Sequence, residues 1–362
     1  MSSNDRLGRL REALKENEMD AILVSSAENR RYLSGFTGSA GYLFISPAQA
    51  VLATDFRYVE QAGRQAPGFR VERTQSSLAW LPELAAAAGA KRVGFEAQTM
   101  TVGTHTAFVK AIEEASTSDK VQLIQTSDLV DRMRAAKSGK EMAHLQRAIE
   151  IADEALDEVS PTIRPGMTEA QVSWELEKAM RERGAESVSF ETIVGAGVNG
   201  ALPHHRPDDT VIADGQPVVI DMGATYEGYC SDLTRTIFVG EPDDTFRKVY
   251  GTVLRAQLAA EEQVRVGMTG QETDAISRDI IAEAGYGEYF GHSLGHGVGL
   301  AVHEYPLVGP RATDIIENGM MFTIEPGIYL PEWGGVRIED IVVMEGGRAR
   351  VLSRARKMGT GG

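Results

Sequence analysis

Four carboxylates in the C-terminal part of this chain form two pairs, each set about a turn signal. Asp221 and Asp232 flank Tyr226-Glu227-Gly228, and Glu325 and Glu339 flank Pro331-Glu332-Trp333-Gly334-Gly335. β-Branched runs on both sides of each turn predict two antiparallel hairpins. Residues equidistant from such a turn lie opposite each other, with Cβ atoms about 5 Å apart. Each pair would then place two like charges side by side in otherwise apolar strands, which is unfavourable unless a cation lies between them. Carboxylate oxygens are hard ligands, suited to Mn2+, Co2+ or Mg2+ rather than to a thiolate-type zinc site. Four negative charges also balance two divalent ions.

A fifth ligand should be a histidine. His292, His296 and His303 fall within Phe290–His303, and His204 and His205 within Ala201–Pro207, so five of the seven histidines lie in two short stretches near the hairpins. Gly291, Gly295, Gly297 and Gly299 argue for a loop or strand with close backbone approach there, not a helix. His105 and His144 sit on predicted helices and read as structural, and His205 reads as a loop neighbour without chemistry. Cys230, two residues from Asp232, reads as a small buried apolar residue. As the sole cysteine it can form no intrachain disulfide, which fits a reducing compartment. The glycine-rich stretch Gly35–Gly41 has no following lysine and no helix opening, so it reads as a turn and not as a phosphate loop.

The elements that must carry these residues divide into two domains. Residues 1–130 alternate helical and strand patterns, with strands at Ala21–Val24, Tyr42–Ile45, Ala50–Ala53, Arg92–Phe95 and Gln122–Ile124, and read as an α/β domain. Residues 131–362 read as a second, catalytic domain, giving an α+β chain overall. Its first helix opens at Ser138 with capping-box spacing to Glu141. This region repeats itself once. A long helix leads to Arg164-Pro-Gly-Met-Thr168, and another to Arg265-Val-Gly-Met-Thr269, each threonine capping a further helix. Each copy then has a glycine-rich, histidine-bearing stretch and the spacing Gly215 to Asp221 or Gly319 to Glu325. Two copies of one helix-and-sheet unit, related by a pseudo-twofold axis, would each supply one acid hairpin to a shared site.

The motifs Ile220-Asp-Met-Gly, Ser231-Asp-Leu-Thr-Arg-Thr236, Gly295-His-Gly-Val-Gly299, Thr323-Ile-Glu-Pro-Gly327 and Val336-Arg-Ile-Glu-Asp340, in this order, resemble the pita-bread metallopeptidases, most closely the Xaa-Pro branch of aminopeptidase P and prolidase. In the N-terminal domain, Arg31–Gly41 and Thr54–Tyr58 are more similar to aminopeptidase P, although Phe56 stands where glycine is frequent. The resemblance implies a creatinase-type N-terminal domain, a pita-bread catalytic domain, and two divalent metal ions, Mn2+ first with Co2+ or Zn2+ as alternatives. It implies the ligands Asp221, Asp232, His296, Glu325 and Glu339, with Asp232 and Glu339 bridging. It further implies His204, His292 and His303 as substrate-facing histidines, Glu325 as proton shuttle, and a homodimer or higher oligomer.

Such ions would supply a water that ionises near neutral pH, with His303 beside the scissile carbonyl and Glu325 passing a proton to the leaving nitrogen. Strand parity adds Thr234 and Arg337 on the ligands' faces, each expected to hold a bridging carboxylate. The function so implied is Xaa-Pro aminopeptidase, with Xaa-Pro dipeptidase as the alternative. Non-catalytic binding proteins on this fold lack ligands that are all present here, creatinase works without these metals, and methionine aminopeptidase usually lacks the N-terminal domain. The net charge of −15 argues against nucleic-acid or anionic-membrane partners. With no signal-peptide core and no membrane-length apolar run, a cytoplasmic enzyme is expected. The tail after Met358 reads as frayed.

Overall fold

A computed structural model describes residues 3–75, 78–115 and 121–358; the tail 359–362 lies outside them. The chain forms two compact units, Met1–Met133 and Arg134–Gly362. In the first, six strands form one mixed sheet in the spatial order Arg70–Arg73, Ala50–Thr54, Tyr42–Ile45, Ala21–Val24, Arg92–Glu96 and Gln122–Thr126. Tyr42–Ile45 pairs antiparallel with Ala50–Thr54 across a short hairpin and with Ala21–Val24 across the longer segment 25–41. The remaining neighbours, joined by long connections, pair parallel, as parallel pairing requires. Sequence reading missed Arg70–Arg73, which is charged at both ends and half-exposed and so lacks the apolar run that marks a strand. The turn expected at Gly35–Gly41 follows the helix Ala27–Ser34 and leads into Tyr42–Ile45. That helix is capped by Ser26, whose Oγ accepts the Asn29 N–H, and it ends on Gly35 at φ 82°, as left-handed caps favour.

In the second unit the sequence repeat is a structural one. Helices Gly139–Val159 and Glu169–Glu182 are matched by Asp244–Gln263 and Gly270–Glu283. The capping boxes at Thr168 and Thr269 are both formed. The Gly166 N–H donates to Ile212 O and the Ile212 N–H to Met167 O; in the second copy Gly267 donates to Ile316 and Ile316 to Met268. Gly166 and Gly267 share the same φ of 94°. Each long helix packs its apolar face on its own sheet, the first copy around Leu156, Leu176 and Ile220 and the second around Val253, Ile281 and Phe322. The first sheet orders Leu233–Val239, Gln216–Met222 and Ile193–Ala196. The second orders Glu304–Val308, Gly295–Gly297, Met321–Ile324, Asp340–Glu345 and Arg348–Val351, and the short hairpin Gly327–Leu330 with Gly334–Arg337 lies between strands of that copy in sequence. Among the described residues no helix is long and apolar enough to cross a membrane.

Candidate metal centre

All four acids sit at or just beyond strand ends. Strands Met321–Ile324 with Asp340–Glu345, and Gly327–Leu330 with Gly334–Arg337, share one register, with Ile324 facing Asp340 and Gly327 facing Arg337. Glu325 and Glu339 are thereby directly opposite. Between the two ladders the hairpin opens. The Glu325 N–H donates to Leu294 O at 2.8 Å and the Glu339 N–H to Thr234 O at 3.0 Å, and Pro326 offers no donor. The acids occupy this gap.

The Asp221–Asp232 pair differs from the sequence expectation. A two-residue turn at Glu227-Gly228, with φ 48° and 70°, centres the hairpin one residue later than expected. Asp221 therefore faces Thr234, not Asp232, and the two acids are a diagonal pair. They still converge with the others. Donor atoms of Asp232, His296 and Glu339 all lie within 4.8 Å of one another. His296 Nε2 is 3.2 Å from Glu325 Oε1 and 3.7 Å from Asp232 Oδ2. His296 comes from the short strand Gly295–Gly297, pressed so closely onto its neighbour that a Cβ at Gly295 would meet Thr323 O at 1.9 Å. Its Nδ1 faces Gly297 O at 3.1 Å; a carbonyl only accepts, so Nδ1 carries the proton and Nε2 is left as a ligand atom.

The surroundings divide the charge unevenly. Burial, then Glu339, Asp221 and Glu325, hold the Asp232 carboxyl well above the usual range. Burial, Glu325 and Asp221 do the same to Glu339. Burial also raises Asp221, against the pull of Arg337. Burial would raise Glu325 too, but the hydrogen bond and charge of His296 bring it to about 2. For His296 burial acts downward and is outweighed by Glu325, leaving it raised. Without a cation, then, Asp232 and Glu339 hold their protons to higher pH than ordinary carboxyls do, and a metal would compete with those protons. Among the described residues, Asp221 Oδ1 and Glu339 Oε1 are buried with no hydrogen-bond partner, which is costly unless something else coordinates them. Hard oxygens, one imidazole nitrogen and two orphaned carboxylate atoms fit divalent ions.

Around this set, Thr234 Oγ1 donates to Glu339 Oε2 at 2.7 Å, as parity suggested. Arg337 departs from expectation: its Nη2 goes to Asp221 Oδ2 at 2.7 Å, its Nε to Thr234 Oγ1 and its Nη1 to Tyr329 OH. The guanidinium bridges the two hairpins and does not reach Glu339, the near acid on its own strand segment. Tyr329, missed by sequence reading, takes the Arg337 N–H and meets His292 Nε2 at 2.9 Å. His292 Nδ1 faces Ser293 O at 2.8 Å, so it carries the proton and Nε2 accepts from the tyrosine; burial accordingly lowers the His292 pKa. Tyr329 lies two residues from Gly327 on a strand face, a parity signal present but unused. His303 is exposed and meets the His296 ring edge-on, centroids 4.1 Å apart. Partial desolvation of its ring, then the neighbouring His296, lowers its pKa. His204 is exposed on its loop. His205 is not idle: its Nε2 lies 2.6 Å from Glu169 Oε2. Cys230 is buried opposite Thr225, His144 stacks on Tyr229 and His105 packs on Phe95.

Residues 143–345 match the model of metallopeptidase family M24, and residues 6–136 that of the creatinase/prolidase N-terminal domain. The chain belongs to metallopeptidase family M24. Its fold is the N-terminal domain plus pita-bread domain of that family. An Xaa-Pro dipeptidase from Bacillus anthracis superposes with a TM-score of 0.93 at 43% identity, covering 98% of this chain and 99% of that one. An X-Pro aminopeptidase from Thermotoga maritima does so with a TM-score of 0.88 at 37% identity, covering 97% and 98%. The uncharacterized peptidase YqhT of Bacillus subtilis is 42% identical over 98% of this chain and 99% of its own. Family M24 membership makes this protein a metallopeptidase and implies divalent metal ions at the acid cluster.

Proposed function

We propose that this M24 peptidase hydrolyses the bond between the N-terminal residue of a peptide and a following proline. The observation that carries the reading is the convergence of buried Asp232 and Glu339 on His296, with Glu325 beside that imidazole and two orphaned carboxylate oxygens. In this reading Asp221, Asp232, His296, Glu325 and Glu339 would hold two divalent ions, Mn2+ first. Bound ions would supply a water that ionises near neutral pH and would polarise the scissile carbonyl. Glu325, ionised by its pairing with His296, takes up the water's proton and delivers it to the departing nitrogen, which in an Xaa-Pro bond has no hydrogen of its own. His303 donates to the carbonyl oxygen, His204 faces the substrate, and His292 is oriented by its hydrogen bond with Tyr329. Excess carboxylate oxygen captures the free amino group. Thr234 and Arg337 hold Glu339 and Asp221 in place. A cytoplasmic homodimer completes the proposal, on the resemblance and the single cysteine.

The aminopeptidase form, acting on peptides longer than two residues, is favoured by Arg31–Gly41 and Thr54–Tyr58. The dipeptidase form is favoured by the 43% identical neighbour of that name. Mn2+-loaded enzyme should release the N-terminal residue from Xaa-Pro tripeptides and longer chains. Cleavage confined to Xaa-Pro dipeptides moves the assignment to dipeptidase, and cleavage of neither refutes both.

A further inference from the structure

Glu169 is the first residue of the helix that Thr168 caps, and it is completely buried. Its Oε1 accepts from the Ala196 N–H at 2.8 Å and from Asn199 Nδ2 at 3.0 Å, and its Oε2 from His205 Nε2 at 2.6 Å. A carboxylate acceptor there requires the His205 proton on Nε2. The backbone closes the same loop: Glu169 N–H donates to Thr210 O, Ala170 N–H to Asp208 O, and His205 N–H to Leu202 O. Residues 196–210 are thus gathered around one acid. A buried carboxylate is costly unless paired, and of these partners the imidazole of His205 is the one that can carry positive charge. The same loop is seated on the opposite copy of the repeat, where a Cβ at Gly335 would meet Gly200 O at 2.0 Å. His204, the adjacent residue, projects from this fixed segment.

We propose that His205 is a positioning residue, which through Glu169 sets the backbone from which His204 reaches the substrate. The proposal rests on the substrate-facing reading of His204. Isosteric variants test it. His205→Gln places an amide nitrogen where Nε2 sits, whereas His205→Asn places it at the Nδ1 position, out of reach of Glu169. In Mn2+-loaded enzyme with an Xaa-Pro tripeptide, His205→Asn and His205→Ala should raise KM about tenfold (about 1.4 kcal/mol). Their kcat should change less than about threefold, with unaltered Mn2+ content by elemental analysis, and His205→Gln should recover most of the loss. Unchanged KM in His205→Asn overturns the proposal, as does a Gln variant no better than Asn. Lost Mn2+ content in both also overturns it, because the role would then be general folding. His204→Ala separates the two readings. If it alone is silent, the reading of His204 fails and takes this role with it; if it is impaired while His205→Asn is normal, the positioning role alone fails.

Discussion

Replacing Glu339 by glutamine should reverse its effect on stability when metal is added. The donor atoms of Asp232 and Glu339 lie within 4.8 Å of each other, and both side chains are nearly inaccessible. At an effective dielectric of about 20, two unit charges at that spacing repel by about 3.5 kcal/mol. Protons held by the pair already relieve part of this in the ion-free protein. Glu339→Gln, which keeps an oxygen for the Thr234 hydroxyl, should therefore stabilise ion-free protein by about 1–2 kcal/mol, or roughly 2–8 °C in melting temperature. Mn2+ works the other way. At one hundred times Kd each ion of the proposed pair would stabilise the wild type by about 2.7 kcal/mol, and the variant would forfeit most of this under the bridging role that the resemblance implies for Glu339. Wild type should then melt above the variant by on the order of 10 °C. The assay is thermal denaturation of both proteins, in chelator and in Mn2+. Glu339→Gln melting below wild type in chelator by as much as in Mn2+ would refute the electrostatic reasoning, since the carboxylate would then be an ordinary satisfied core group.

Two further perturbations follow. Asp232 and Glu339 have folded-state pKa values above their unfolded ones, through burial and then neighbouring acids. Their contribution is present below about pH 4 and lost as pH rises through the folded values. Glu325, lowered to about 2, contributes above about pH 4.3 and loses that as pH falls toward 2. Ion-free protein scanned by melting temperature should thus weaken above pH 5 relative to Mn2+-loaded protein; two parallel profiles would contradict this. Gly335→Ala forces a Cβ onto Gly200 O, between two backbones that cannot yield cheaply. It should cost at least about 1–3 kcal/mol, seen as a lowered melting temperature, and an unchanged melt would mean that the two segments are not in contact.

Features set within a few residues were legible along the chain. The capping boxes at Ser138, Thr168 and Thr269 formed because an N-cap and its partner three residues on meet within one helical turn. The Glu325–Glu339 register followed from turn position, and the repeat was visible because both copies keep the same glycine, threonine and acid spacing. Less was legible where one residue of turn geometry propagates. The positive φ at Glu227 moved Asp232 from opposite to diagonal, since pairing register amplifies a local choice along a strand.

Partners distant in sequence were decided by packing. Face parity placed Arg337 near the site but aimed it at a bridging carboxylate, whereas a long guanidinium reaches several acids and takes Asp221, the one left facing it across the hairpins. His205 looked inert because Glu169, its partner, lies on another element. The sequence by itself determined that acids and histidines in these numbers would need cations. Tertiary structure decided which oxygens are satisfied by protein and which are left for metal, because that division depends on burial and distance between strands that spacing does not encode.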